Sequence, residues 1–105
     1  MRFDHEGLDA YKLALQVAHF IRTHRFPEGD YELKHQLRRS SQSVVLNLAE
    51  GRARGGKAAQ NHYRIALGSA AETCAGLDLL PSTQHRRDMQ ALLRRIGSML
   101  RRMAG

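Results

Sequence analysis

YELKHQLRRSSQSVVLNLAEG, residues 31–51, is the stretch that decides the architecture. Leu33, Leu37, Val44 and Leu48 recur at helical spacing and form one apolar stripe. Asp30 stands where an N-cap is needed, and Gly51 offers a left-handed C-cap. Beside the apolar stripe, Gln36, Arg39, Ser40, Ser43, Asn47 and Glu50 project within about 100° of one another. At 1.5 Å rise per residue this polar stripe is about 21 Å long. Lys and Glu are the ordinary choices for a solvated helix face, and Ser and Asn are poor helix formers. Small hydroxyls and amides suit a seam where two helices approach closely and polar groups must be paired. The expectation is a buried network joining Arg39, Ser43, Asn47 and Glu50 to a neighbouring helix, with a ligand-facing groove as the alternative.

The partner surface lies downstream. After a basic, glycine-rich turn (Arg52–Lys57), a third helix is expected from about Ala58 to Leu80, stopped by Pro81. His62, Ser69, Glu72 and Gly76 share one of its faces, with Gly68 beside it to allow close backbone approach. Ser69 and Glu72 therefore complete the expected network. Ser82 or Thr83 can cap a fourth helix running to about Met103, whose core stripe is Met89, Leu92, Leu93, Ile96, Met99, Leu100 and Met103. Upstream, a first helix is expected over Asp9–Thr23 with Asp9 as N-cap, followed by a Pro27–Gly29 connection. Its apolar residues fall on two sides: Tyr11, Ala14, Leu15, Ala18 and Ile21 on one, Leu13, Val17 and Phe20 on the other. The second set is expected to bury against another subunit, with a helix sunk deep in its own bundle as the alternative. The fold class is all-α, an antiparallel up-down-up-down four-helix bundle filling residues 1–105 as one domain.

Composition narrows the function. Hydrophobic residues make up 42% of the chain but aromatics only 6%, with no Trp, so the core is aliphatic. A lone Cys74 cannot form an internal disulfide, and no apolar run is long enough to span a bilayer. The start, MRFDHEGLDA, lacks a signal-peptide core, so a cytoplasmic location is expected. The net charge of +7 is uneven. Residues 1–32 hold four Lys/Arg against six Asp/Glu, residues 33–71 seven against one, and residues 72–105 six against three. The fourth helix carries three Arg pairs, Arg86-Arg87, Arg94-Arg95 and Arg101-Arg102, within half of its circumference and opposite its core stripe. Arginine grips phosphate bidentately, and a row about 24 Å long tracks several phosphates. Arg52, Arg54 and Lys57 of the basic turn add to this nucleic-acid-binding face.

Catalysis finds no support. Glu32-Leu33-Lys34-His35 fits a single E-x-x-H unit, whereas a di-iron bundle needs two of them and further carboxylates. Cys74 has no local base, and Ser40, Ser41 and Ser43 sit in no nucleophile elbow. The glycines between Gly51 and Gly56 lack Walker spacing. No enzyme activity, cofactor or metal is expected.

The strings QLRRSSQSVVLNLAEG (Gln36–Gly51) and ALGSAAET (Ala66–Thr73) resemble the signatures of the four-helix-bundle proteins named after intervening sequences of 23S ribosomal RNA. Arg39, Ser43, Asn47, Glu50 and Gly51 fit that family's second-helix motif, and Ala66, Gly68, Ser69 and Glu72 its third-helix motif. The resemblance implies a cytoplasmic homopentameric ring without catalytic activity. The chain is also similar to the accessory proteins of diversity-generating retroelements, which implies RNA and a reverse transcriptase as partners. From the charge pattern alone an acidic protein partner stays open beside nucleic acid.

Overall fold

The computed structural model describes all residues, Met1–Gly105. It contains four α-helices and no strand: α1 Asp9–Thr23, α2 Tyr31–Arg54, α3 Gly56–Leu77 and α4 Gln84–Ala104. A short 3-10 turn, Asp4–Gly7, precedes them and packs on α2. Each helix touches two neighbours, in the ring order α1, α2, α3, α4, so the core lies along the central axis. Cross-helix pairs fix the directions. Gly51 meets Tyr63, Ser43 meets Ser69 and Leu37 meets Gly76, so α3 runs back along α2. Cys74 meets Gln90 while Leu67 meets Gly97, so α4 runs back along α3.

The helix boundaries follow from local chemistry, with three departures from the sequence-based expectation. Leu8, not Asp9, occupies the N-cap of α1, which leaves Asp9 as a first-turn acid at the positive end of the helix dipole. Helix α2 passes through Gly51 and continues to Arg54, because Gly51 is a packing residue rather than a terminator. The break comes at Gly55 and Gly56, with φ of 71° and 60°, a left-handed pair that only glycine adopts without strain. Helix α3 stops at Leu77, and Asp78, Leu79 and Leu80 taper off through bonds to carbonyls three residues back. Leu80 precedes a proline and is sterically kept out of the α region. Thr83 caps α4 as expected, its hydroxyl accepting the Arg86 N–H at 3.1 Å. Asp30 takes the N-cap position of α2, but its side chain makes no capping bond.

Ile21, Leu37, Leu48, Leu77, Ile96, Leu100, Val17 and Val44 are the large aliphatic side chains most fully withdrawn from water. This set corrects the subunit-contact assignment on the first helix. Leu13 and Val17 are buried inside the chain's own bundle, Val17 with only 1% of its surface exposed, and Phe20 is half-buried against the same core. The reason is geometric. Ala10 bridges the near edges of the two apolar sets, Ala14 and Ile21 of one and Leu13 and Val17 of the other, so α1 presents one broad face that sinks between α2 and α4.

Glycine sets the spacing of α2 and α3. A Cβ on Gly51 would stand 2.7 Å from the Tyr63 ring, and one on Gly76 would stand 2.6 Å from a Leu37 methyl. Tyr63 and Leu37 are both buried, so neither can swing away cheaply.

Candidate nucleic-acid interface and the polar seam

The close approach of α2 and α3 brings half of the polar stripe together. Ser69 donates to Ser43 Oγ at 2.8 Å, and Asn47 Nδ2 donates to the same oxygen at 3.1 Å and to the Ser43 carbonyl at 2.9 Å. Asn47 Oδ1 lies 2.9 Å from His62 Nδ1. One turn away the Thr73 and Ser40 hydroxyls are 2.7 Å apart, with Thr73 fully buried. The seam thus consists of Ser40, Ser43, Asn47, His62, Ser69 and Thr73.

Three of the expected members lie outside it. Arg39, Glu50 and Glu72 are exposed. Glu50 pairs along its own helix with Arg54 at 2.9 Å, the only ion pair in the chain. Arg39 and Glu72 line an entirely polar cleft of about 270 Å³ with Gln36, Ser40, Ser43 and Ser69, without touching each other. The stripe is wider than the helix contact. Its inner edge is paired, and its outer edge faces water. His62 lies on the partner face read from the sequence, although it was not expected as a network member, whereas Thr73 was missed because a single Thr on a long helix carries no signal until the register is known.

The basic residues separate by their partners. Arg94, Arg95, Arg101 and Arg102 are exposed and engaged with no protein acceptor. Arg86 is half-buried and donates to the Leu80 carbonyl at 2.7 Å. Arg87 donates to Ser82 Oγ at 2.9 Å and to Gln84 Oε1 at 3.2 Å. The first Arg pair therefore braces the α3–α4 connection. Arg54 is held by Glu50, while Arg52 and Lys57 are exposed and unpaired.

Topology adds a juxtaposition. Because α4 runs antiparallel to α3, its last turn returns to the start of α3, where Gly105 lies beside the Gln60 amide. Arg101 and Arg102 are therefore gathered at the same end of the bundle as Arg52, Arg54 and Lys57. Arg94 and Arg101 also flank a cleft of about 450 Å³ between α3 and α4, floored by Leu67, Ala70, Cys74 and Leu93. Burial pushes the Cys74 thiol above its ordinary range, outweighing the opposing pull of Arg94. Cys74 is thus held as the neutral thiol, the less nucleophilic form.

A family description decides the relationship: the 23S rRNA-intervening sequence protein matches residues 6–103. The chain belongs to that family. There is no significant match among curated proteins or solved structures. The chain is small and helical, and none of its helices is long and apolar enough to cross a membrane. The paired seam lies in the two strings that carried the resemblance, Gln36–Gly51 and Ala66–Thr73, together with His62 from outside them.

Proposed function

We propose that this chain is a non-enzymatic, cytosolic scaffold that assembles with copies of itself and binds RNA along α4. The observation that carries this reading is the row Arg94, Arg95, Arg101 and Arg102, four exposed guanidinium groups with no carboxylate in reach. A solvated face built for solubility alone mixes signs, and the one carboxylate on α4 is Asp88, which precedes the row and is itself held by Gln84 at 2.7 Å. Unpaired guanidinium groups need not break internal bonds before gripping phosphate. Arg52 and Lys57 extend the row around the end of the bundle. Five copies in a closed ring would present the row five times and add avidity for a long polyanion.

The surface for self-association is the outer face of α3. Ile65, Gly68 and Ala75 are spaced three and seven residues apart and share one exposed side, and Leu79 is exposed in the taper just beyond it. Ile65 is 45% and Leu79 74% exposed. A Cβ on Gly68 would meet nothing within 4 Å, so nothing inside the chain requires glycine there. Mid-helix glycine costs roughly 1 kcal/mol relative to alanine, and a second copy seated in the notch accounts for keeping it.

The cleft between α3 and α4 favours a second reading. Its apolar floor and its rim of Arg94 and Arg101, with Asp78 the one carboxylate in the lining, suit an acidic amphipathic segment of a protein partner, such as a reverse transcriptase, seated toward the Arg101 end. Retention on RNA across a salt series separates the two. Phosphate binding gives log affinity falling linearly with log salt, with a slope set by the phosphates engaged. No RNA binding at 50 mM salt, with capture of an acidic peptide instead, would overturn the RNA reading.

A further inference from the structure

At the end of the bundle opposite the basic turn, the end of α1 meets the start of α4 around one aromatic ring. Phe20 on α1 lies 5.3 Å from the His24 ring, tilted by 35°, and 6.2 Å from the His85 ring, edge-on at 82°. Phe26 stacks edge-on against the far side of His24 at 4.8 Å, which holds that imidazole in place. Phe20, His24, Thr83, Gln84 and His85 line a cleft of about 340 Å³. Only one of these five is a hydrocarbon side chain, so the cleft is poorly suited to an aliphatic anchor from another protein. It offers three ring faces, an amide and a hydroxyl.

The two segments that carry the cleft are basic. Residues 19–25 and 82–88 contain Arg22, Arg25, Arg86 and Arg87 with His19, His24 and His85, against the single carboxylate of Asp88. Asp88 is held by the Gln84 amide, and Gln84 in turn accepts from Arg87, so a bonded chain of side chains fixes the rim. The Thr83 hydroxyl accepts the Arg86 N–H, which leaves its own proton free to donate. The backbone N–H groups of Gln84 and His85 in the first turn of α4 have no acceptor. Rings for stacking, fixed donors and a positive surround are together the recognition chemistry of an unpaired nucleotide. A base held within a duplex has both faces covered by its neighbours and could not stack on these rings.

We propose that the Phe20–His24–His85 cleft is a nucleobase site, which makes single-stranded RNA the preferred form of the polyanion. The inference rests on the RNA-binding reading above and adds the end of the bundle that the free arginine row does not use. A base stacks on one imidazole, His85 being the exposed one, while the free N–H groups of the first turn of α4 take the adjoining phosphate. The strand then continues along α4 over Arg94, Arg95, Arg101 and Arg102.

The test uses the full chain with a fluorescein-labelled 15-nucleotide single-stranded RNA, the matching duplex, and the same strand carrying 2-aminopurine. The double variant His24→Ala/His85→Ala should weaken single-strand binding about 5- to 100-fold, the range for losing a stacked base. It should leave duplex binding and the salt slope unchanged. The 2-aminopurine signal should be quenched by the wild-type chain and not by this variant, whereas His24→Phe/His85→Phe should keep both affinity and quenching. Circular dichroism on each variant confirms retained helicity, and an unfolded alanine variant shifts the decision to the quenching of the wild-type chain alone. Single-strand binding that depends on the α4 arginines but not on the histidine rings, without quenching, overturns the base site and spares the RNA-binding reading. Absence of binding to both single strand and duplex overturns both.

Discussion

Gly51 and Gly68 are the same residue type on adjacent helices, and the structure gives them opposite meanings. Gly51 lies in the α2–α3 seam, where a methyl group would collide with the buried Tyr63 ring. Gly68 lies on the outer side of α3, where a methyl group would meet only space. The seam is a finished contact: its notches are filled and its hydroxyls and amides are bonded across two helices. The outer face is unfinished, with an unfilled notch, exposed Ile65 and Leu79, and an unpaired Arg39 and Glu72 close by. Completeness within the chain marks what holds the fold, and incompleteness marks what awaits a partner.

The comparison is tested most severely at Gly51. Gly51→Ala should destabilise the chain by roughly 1–3 kcal/mol, the cost of overpacking a close-packed site, despite the gain in helix propensity. A melting curve gives the value, and an unchanged midpoint would show that α2 and α3 can part without penalty. Asn47→Leu comes next. It removes the amide that links Ser43 to His62 and should cost roughly 1 kcal/mol, because the half-buried partners recover some of their bonds from water. A loss above 3 kcal/mol would mean the network is drier than its exposure indicates.

Gly68→Ala should act in the opposite direction. In a dissociated chain it should stabilise by up to about 1 kcal/mol, the helix-propensity difference with no collision to offset it. In an assembly that seats a second copy on Gly68, the same change should weaken association. Sedimentation at micromolar concentration measures the assembly and chemical unfolding of the dilute chain measures the stability. A monomeric wild type would break the comparison, since the notch would then have no occupant. Ile65→Glu with Leu79→Glu should dissociate the assembly while preserving helicity.

The sequence made the helices legible because their apolar stripes are regular and their stops are Gly and Pro. It misplaced the end of α2 because Gly51 has the same letters as a C-cap, and only the approach of Tyr63 reveals it as a packing residue. It left the second apolar set of α1 open between a subunit contact and a deeply sunk helix, because counting positions does not say how deeply a helix sinks. Leu13 and Val17 flank the same groove as Ile21. For the charged face, spacing identified the arginine row but not its division, since the engagement of Arg86 with the Leu80 carbonyl depends on how the chain turns before α4. The rings of Phe20, His24 and His85 lie 65 positions apart at their widest and have no shared motif, so only the fold brings them together.

The smallest expected effect decides where the seam ends. Glu72 shares a face of α3 with Ser69, and on sequence grounds both belong to one network. In the structure the Glu72 carboxylate is exposed and accepts no hydrogen bond, while the bonds among Ser43, Asn47, His62 and Ser69 are complete without it. Glu72→Gln should therefore change stability by less than about 0.5 kcal/mol, the usual range for a surface substitution away from special features. Arg39→Gln should be equally silent, and the double variant should show no coupling between them. The measurement is a double-mutant cycle at low salt, where a weak ion pair would be strongest. A coupling above 1 kcal/mol would mean that Arg39 and Glu72 close over the polar cleft in solution. The seam would then extend to the surface, and Arg39 would not be available to a partner. A null result keeps both charges free, on the same side of the molecule as the empty notch at Gly68.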